Sequence, residues 1–489
     1  MKRIISFVIC LIMLLGTITL VSCAEKDGGG EGGPTPIDPE DTYIKKFEGL
    51  DFEGTPIRFA LSSATDVSAN GYRSCDVEEK TGDSVSDAIY DRNQIVEELL
   101  NVEIQVVANS NHTGFTGMVE TALQSGTDEY DWLWGQQAND IDLCLQGYIY
   151  DLNRLGDKNY IDASADWWGA EYMANYQYKN ELYWLSGPLS LIYTAGASCT
   201  VVNATLYDAH FSESYGNIYD YVRTGNWTID DFASMSATVY KDVNSNDKLD
   251  EGDVYGYANH SWGLMILLGG IGLECSTRGA DGSITFNINS SNKDYIYAMQ
   301  TTYNLFEQCP GIHNPTGWGS HFADGNQLFY MDGINCMQNY REMTDDFYLI
   351  PTPKLDTKQT EYRSVMSDAN QIMGLTYTCQ NIEAATATLE VMAYYTDKMV
   401  TDLYFDEALK YKYSRDEDTA EMVQLVHDSI YTDFVFIWER WIWGTHWLRY
   451  NGYGPNVVSA IRKVEGKWLD SFNETLAKLD ELAATPYDF

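Results

Sequence analysis

Asp242, Asn244, Asn246, Asp250 and Asp253 stand at positions 1, 3, 5, 9 and 12 of one short polar stretch, and Lys248 at position 7 can lend its backbone carbonyl. A hard divalent cation takes six to eight oxygens on a tight turn, and this is the spacing that a calcium loop uses. Two positions depart from the common pattern. Asp247 sits at position 6, where glycine is usual, and Asp253 ends the loop in place of glutamate. The spacing predicts a structural calcium that pins a surface loop. The plainer reading of the same residues is a solvated turn after a helix.

The aromatic residues form the second group with chemistry to offer. Thirteen Trp and 36 Tyr help bring aromatics to 13% of the chain. The C–H faces of a sugar ring pack on indole and phenol rings, while its hydroxyls take hydrogen bonds from amide and charged side chains. Trp132, Trp134, Trp184, Trp262 and the cluster Trp438, Trp441, Trp443 and Trp447 can serve as such platforms, although a single Trp is more often core. Trp134 differs from the rest. It ends an apolar strand and runs into Gly135-Gln136-Gln137, and ligands of open α/β sheets sit at the carboxyl ends of strands. Trp134, Gln136 and Gln137 are therefore expected to bind ligand.

A third reactive residue is Cys23. Lys2 and Arg3 precede an uncharged apolar stretch from Ile4 to Leu20, and Leu20-Val21-Ser22-Cys23 follows as a lipobox. Residues 1–22 read as a lipoprotein signal peptide, with Cys23 as the thiol that takes the lipid. Residues 23–41 hold Gly28 to Gly30, Gly32, Gly33, Pro34, Pro36 and Pro39 and cannot bury enough apolar surface to fold. They read as a flexible tether. The body is expected outside the cytoplasm, anchored on the outer face of the cell membrane.

Composition excludes several classes. A net charge of −41 repels phosphate backbones, so no nucleic-acid partner is expected. The sequence holds no HExxH, GxSxG or P-loop, and its seven histidines are scattered. No catalytic residue stands out and no cofactor is required. Apart from Cys10 and Cys23, Cys75, Cys144, Cys199, Cys275, Cys309, Cys336 and Cys379 remain, odd in number and without a CxxC pair. That is no disulfide scaffold, though one or two bridges are compatible with it.

These residues need a scaffold. A body of this length exceeds a single core, so two lobes are expected. Pro56 to Leu61 reads as a strand. Ser84 to Leu100 reads as a helix, because Val85, Ala88, Ile89, Ile95, Val96 and Leu99 share one face. Val102, Ile104 and Val106 alternate as a half-buried strand does. Phe115 to Leu123 is the next helix, closed by Ser125-Gly126. Tyr130 to Trp134 is a strand, and Ile141 to Leu145 starts a helix. This alternation predicts an α/β lobe with a largely parallel sheet. Further on, Glu181 to Leu185 and Cys199 to Asn203 read as strands. Thr228 to Tyr240, Asn381 to Asp397 and Val458 to Leu482 read as helices.

Several segments, in order, resemble the extracellular solute-binding proteins of ABC importers, in the carbohydrate-binding group that includes maltose-binding protein. They are Ser86 to Asn93 with Asn101-Val-Glu-Ile104, Tyr130-Asp-Trp-Leu-Trp134 with Gly147 to Leu152, and Gly225 to Phe232 with Val254-Tyr-Gly-Tyr257. Phe322-Ala-Asp-Gly325, Met331-Asp-Gly333 and Leu349-Ile-Pro-Thr-Pro353 complete the order. The resemblance implies a type II periplasmic-binding-protein-like fold with hinge-linked lobes, the first of 42–155 plus 312–362 and the second of 156–311 plus 363–489. It implies a sugar or oligosaccharide captured in the interlobe cleft by a monomer and delivered to membrane permease subunits. By position it maps ligand contacts near Arg73, Trp134, Gln136, Gln137, Trp184, His260, Trp262, Tyr340, Arg341, Trp441 and Trp443. Two other readings share the lipobox and the aromatics: a lipid-anchored glycoside hydrolase, and a helical-repeat surface glycan-binding lipoprotein.

Overall fold

The computed structural model describes residues 42–62, 73–248, 250, 252–258, 262–313, 322–340, 342–366, 369–406, 417–438, 442 and 455–487. Strand β1 (Thr55–Ser62) starts the first sheet. Its Ile57, Phe59, Ala60 and Leu61 are all buried, so both faces of the strand need cover. Helix α1 (Ser84–Leu100) follows and buries Val85, Ala88, Ile89, Val96 and Leu100. The Asp83 carboxylate caps its start by accepting from the Ser86 N–H at 3.0 Å. Asn101 ends it at φ 50°, a conformation that Asn tolerates. β2 (Val102–Ser110) then runs parallel to β1. Helix α2 (His112–Ser125) ends on Gly126 at φ 70°, as the sequence predicts. β3 (Trp132–Gln136) lies parallel on the other side of β1.

Residues 178–185 depart from the expected strand. Only Leu185 bridges a sheet neighbour, Met373. The backbone around Leu182 is spent elsewhere: its N–H goes to Asp151 Oδ1 at 2.9 Å, and its carbonyl accepts from Leu152. From Ser186 the chain crosses to a second sheet, which opens with β4 (Ser198–Asn203). Helix α3 (Ile229–Val239) follows, with a capping box made by Thr228 and Asp231. β5 (Tyr255–Ala258), helix α4 (Gly263–Gly270), the hairpin of β6 (Ser276–Arg278) and β7 (Ile284–Phe286), and helix α5 (Lys293–Gln308) come next.

β8 (Ile312–His313), β9 (Gln327–Gly333) and β10 (Phe347–Ile350) complete the second sheet, in the order β10-β4-β9-β5-β8. This corrects the expected lobe boundaries, which put 312–362 with the first sheet. β9 has Leu328, Phe329 and Met331 buried, and Phe329 packs on Trp227 and Phe232 at 5.5 and 5.0 Å between ring centroids. Such a strand needs a neighbour on each side, and β4 and β5 supply them. β11 (Ser364–Val365) lies beside β13 (Ile430–Tyr431). The chain then recrosses, and β12 (Gln371–Leu375) joins the first sheet antiparallel to β3, giving the order β12-β3-β1-β2. The boundaries implied by the resemblance place β12 in the second lobe, whereas its pairing with β3 puts it in the first sheet.

Helix α6 (Ile382–Thr396) packs on α1 and β1, helix α7 (Glu417–Asp428) on β10, and helix α8 (Val457–Ala484) reaches both α5 and residues 141–146. Within α6 the buried Glu390 carboxylate accepts from the Trp167 and Trp168 indoles at 3.1 and 2.8 Å, from the Asp162 N–H, and from the Tyr43 hydroxyl. That cluster fastens the first described residues to the body. All seven remaining cysteines are free thiols. Among the described residues no helix is long and apolar enough to cross a membrane.

Candidate functional site

The carboxyl end of β3 lies beside Asn370 and Gln371, and through Asn370 it is linked to Ser186 at the start of the first crossing. The turn out of β3 is braced by Asp140, which is 1% exposed. Its carboxylate accepts from the Gln136 N–H at 2.7 Å and from the Thr116 hydroxyl at 2.6 Å. A Cβ on Gly135 would lie 2.4 Å from Asp140 Oδ2, so only glycine fits above this brace. Burial pushes the Asp140 carboxyl up to about 6.

Beyond the brace lies a buried polar network. The Gln137 N–H donates to the Asn370 carbonyl at 2.8 Å, and Gln137 Oε1 accepts from the Tyr176 hydroxyl at 2.6 Å. Asn370 Nδ2 faces Ser186 Oγ at 2.7 Å, Tyr172 Oη at 3.0 Å and Tyr176 Oη at 3.5 Å. Ser186 Oγ donates to the Gln371 carbonyl at 2.8 Å, and the Ser190 hydroxyl donates to Gln371 Oε1. Burial raises the pKa of Tyr172 far above its usual value and that of Tyr176 to about 12, so both hydroxyls keep their protons. Three buried polar atoms here have no partner among the described residues: Asn370 Oδ1, Gln371 Nε2 and Trp134 Nε1. Buried polar groups are normally satisfied, so spare capacity of both signs at a strand end is a feature to explain. Asn370 Oδ1 can accept from a hydroxyl and Gln371 Nε2 can donate to one.

The residues expected from sequence fall in different places. Gln136 and Gln137 lie in this network or beside it. Trp134 is 1% exposed and packed on Phe59, so its ring is part of the first core. Trp184 is likewise buried, its indole N–H donating to the Ile141 carbonyl at 3.0 Å. Trp262 is buried, and Tyr340 is enclosed by Phe322, Tyr330 and Phe347. Arg73 is exposed. His260, Arg341, Trp441, Trp443 and the lipid-bearing Cys23 lie outside the described residues. Asp140, Tyr172, Tyr176, Ser186, Ser190, Asn370 and Gln371 were not anticipated. The one sequence cue was the polar pair Asn370-Gln371 at the head of an otherwise apolar strand.

The Asp/Asn loop closes on itself. Asp242 accepts from the Asn246 and Asp247 N–H groups, and Asp253 from those of Val243 and Asp250. Asp250 accepts from the side-chain amides of Asn244 and Asn246. Asp247 takes φ 56°, the left-handed turn that glycine usually supplies at this position. Lys248 holds its N–H on Asn246 Oδ1 at 2.8 Å. Among the described residues no three His, Cys, Asp or Glu side chains gather as they would around a metal ion.

No protein-family model matches the chain, and no curated protein matches it. Solved structures share its fold. UgpB from Mycobacterium tuberculosis, in complex with glycerophosphocholine, is 12% identical with a TM-score of 0.54 over 86% of this chain and 100% of that one. An ABC substrate-binding protein from Listeria monocytogenes, in complex with cycloalternan, is 12% identical with a TM-score of 0.53 over 86% of this chain and 99% of that one. The maltose/maltodextrin-binding domain MalE from Bdellovibrio bacteriovorus, bound to maltotriose, is 11% identical with a TM-score of 0.50 over 86% and 100%. The chain has the two-lobe type II periplasmic-binding-protein fold.

Proposed function

We propose that this chain is the substrate-binding component of an ABC importer, which captures a small solute, a sugar or oligosaccharide, between its lobes and passes it to a membrane permease. The observation that carries the reading is the network of Asn370, Gln371, Ser186 and Tyr176. It joins the carboxyl end of β3 to both crossing segments and keeps an acceptor and a donor unspent. A hinge needs a stiff floor and a ligand that touches both sides, because ligand shifts an open-to-closed equilibrium only by its differential affinity for the two states. The likeness in fold to proteins solved with cycloalternan and maltotriose supports a carbohydrate. A micromolar affinity corresponds to about −8 kcal/mol, within reach of a few stacked rings and hydrogen bonds.

In the same reading Cys23 carries the lipid and residues 23–41 are the tether, which hold a monomeric binding protein at high effective concentration near its permease. The loop from Asp242 to Asp253 takes a structural calcium, a reading supported by its oxygen spacing and by the left-handed turn at Asp247.

Titration calorimetry and small-angle scattering of the full mature chain with maltodextrins, mannose oligosaccharides, glycerophosphodiesters, amino acids and peptides test the capture step. At least one oligosaccharide is expected to bind and compact the protein, and Asn370→Ala to weaken that binding tenfold or more. Compaction by none of the panel would refute the reading.

A further inference from the structure

Cys199 and Cys336 are far apart in sequence and meet in the second sheet. The β4–β9 ladder sets Cys199 opposite Asp332 and Ser198 opposite Gly333. The chain then turns at Ile334, whose N–H donates to the Ala197 carbonyl at 2.9 Å, and residues Ile334–Tyr340 fold back against β4. The backbone itself makes the approach close. A Cβ on Gly333 would lie 3.2 Å from the Cα and the carbonyl oxygen of Gly196, so the two passes of chain touch glycine to glycine.

Successive side chains on a strand alternate between its faces. Ser198 turns its hydroxyl to the Val365 N–H at 2.9 Å, and Cys199 points to the opposite face. There its thiol and that of Cys336 lie within hydrogen-bonding reach of each other. Both residues are buried, at 0% and 4% exposure. Other thiols face different groups. Cys144 Sγ meets the Ile141 carbonyl at 3.2 Å, Cys309 Sγ the Ala233 carbonyl at 3.4 Å, and Cys379 the Asp131 carboxylate.

Two apposed thiols are one oxidation away from a bridge, and the thiolate is the attacking species. Burial raises the Cys336 thiol well above its usual value, and the Cys199 thiol and the Asp332 carboxylate add to this. In the closed fold the pair is therefore a poor nucleophile, and an oxidant has no path to it. Exchange has to take place while the 334–340 turn is still open, during folding. Once the bridge is made, the same burial shuts it away from reductants.

We propose that Cys199 and Cys336 form a buried disulfide when the chain folds in the presence of a small-molecule disulfide, and that this bridge fastens the start of β4 to the turn after β9. The thiolate of one cysteine attacks a sulfur of the small disulfide, such as oxidised glutathione, and releases one thiol. The second cysteine attacks the mixed disulfide and releases the other. Two protein thiols are oxidised, one small disulfide is reduced to two thiols, and the two protons leave on those. The bridge closes a long loop, the case in which a cross-link restricts the unfolded chain most. It is independent of the importer reading, because it needs neither ligand nor lobe closure.

The test folds the full mature chain with oxidised and reduced glutathione, alkylates the remaining thiols in urea, and maps the unreduced digest by mass spectrometry. A peptide pair joined through Cys199 and Cys336 is expected, with Cys75, Cys144, Cys275, Cys309 and Cys379 alkylated. Dithiothreitol should cut the bridge at least tenfold faster in urea than in native buffer. The oxidised protein should melt at least about 4 °C above the same protein folded without the oxidant. Cys336→Ala should melt at one temperature with or without it; where that variant fails to fold, the wild-type map decides. Both cysteines alkylated, either one joined to a different cysteine, equal cleavage in urea and in native buffer, or a melting shift that survives Cys336→Ala would each overturn the proposal. Oligosaccharide capture by a chain without the bridge would remove this proposal and leave the importer reading standing.

Discussion

Replacing Asp140 by asparagine is expected to stabilise the protein at neutral pH and leave it nearly unchanged in mild acid. Asp140 is buried, and its folded-state pKa is pushed from the usual 3.8 up to about 6, burial being the largest cause. The fold therefore prefers the protonated carboxyl. That preference is fully present below 3.8 and is lost as pH rises through about 6. At ~1.36 kcal/mol per tenfold change in proton affinity, the ionised side chain is about 3 kcal/mol less well accommodated at high pH than at low. Asparagine is neutral throughout, and its two ends can serve both neighbours. Oδ1 accepts from the Gln136 N–H, and Nδ2 donates to Thr116 Oγ1. Urea unfolding followed by Trp fluorescence should show the variant gaining about 2–3 kcal/mol on the wild type between pH 4 and pH 7. Glu181, Asp151, Glu390 and Asp433 are raised by burial in the same direction, so the wild type itself should be more stable at pH 5 than at pH 8. A variant less stable than wild type at pH 7, or a difference that does not change with pH, would show that the ionised carboxylate braces the turn and that this reasoning fails.

Gly311→Ala should be more destabilising than Gly374→Ala. A Cβ on Gly311 would lie 1.7 Å from the backbone oxygen of Ser236, whereas one on Gly374 meets the Trp184 ring at 2.6 Å, a side chain that can shift at about 1–3 kcal/mol; thermal unfolding of the two variants ranks them, and equal shifts would contradict the geometry. Chelation should lower the melting temperature and added calcium restore it, by an amount equivalent to about 2.7 kcal/mol at a hundred times the dissociation constant, and Asp250→Asn should remove the response. Scanning calorimetry with EDTA and with calcium checks this, and a wild-type curve unmoved by either would refute a calcium in the loop.

Local elements were legible because one-face burial leaves a period. Val85, Ala88, Ile89 and Val96 mark α1, and Gly126 marks the end of α2. Pairing was not legible where both faces are buried. β9 carries Leu328, Phe329 and Met331 without alternation, and nothing in such a run says which sheet it enters. The segment from Glu181 to Leu185 has the residue types of a strand. Its backbone is taken by Asp151 and Leu152, a competition between a side chain and a ladder that composition does not reveal.

The same physics separates the parts of the site that could be read from those that could not. Every described residue of β3 up to Gly135 is buried, because helices and neighbouring strands cover both of its faces. An indole on such a strand, as at Trp134, goes into the core. Polar side chains then begin only where the strand stops, at Gln136 and Gln137, which sequence position alone picks out. The partners of those glutamines come from other passes of the chain: Tyr176 before the first crossing, Ser186 and Ser190 within it, and Asn370 at the end of the second. No spacing links them, since they meet only after both crossings have been made. A network assembled from both crossings is long-range by construction. The polar residues that break an apolar strand at its first position, as Asn370-Gln371 do at β12, are the one local trace it leaves.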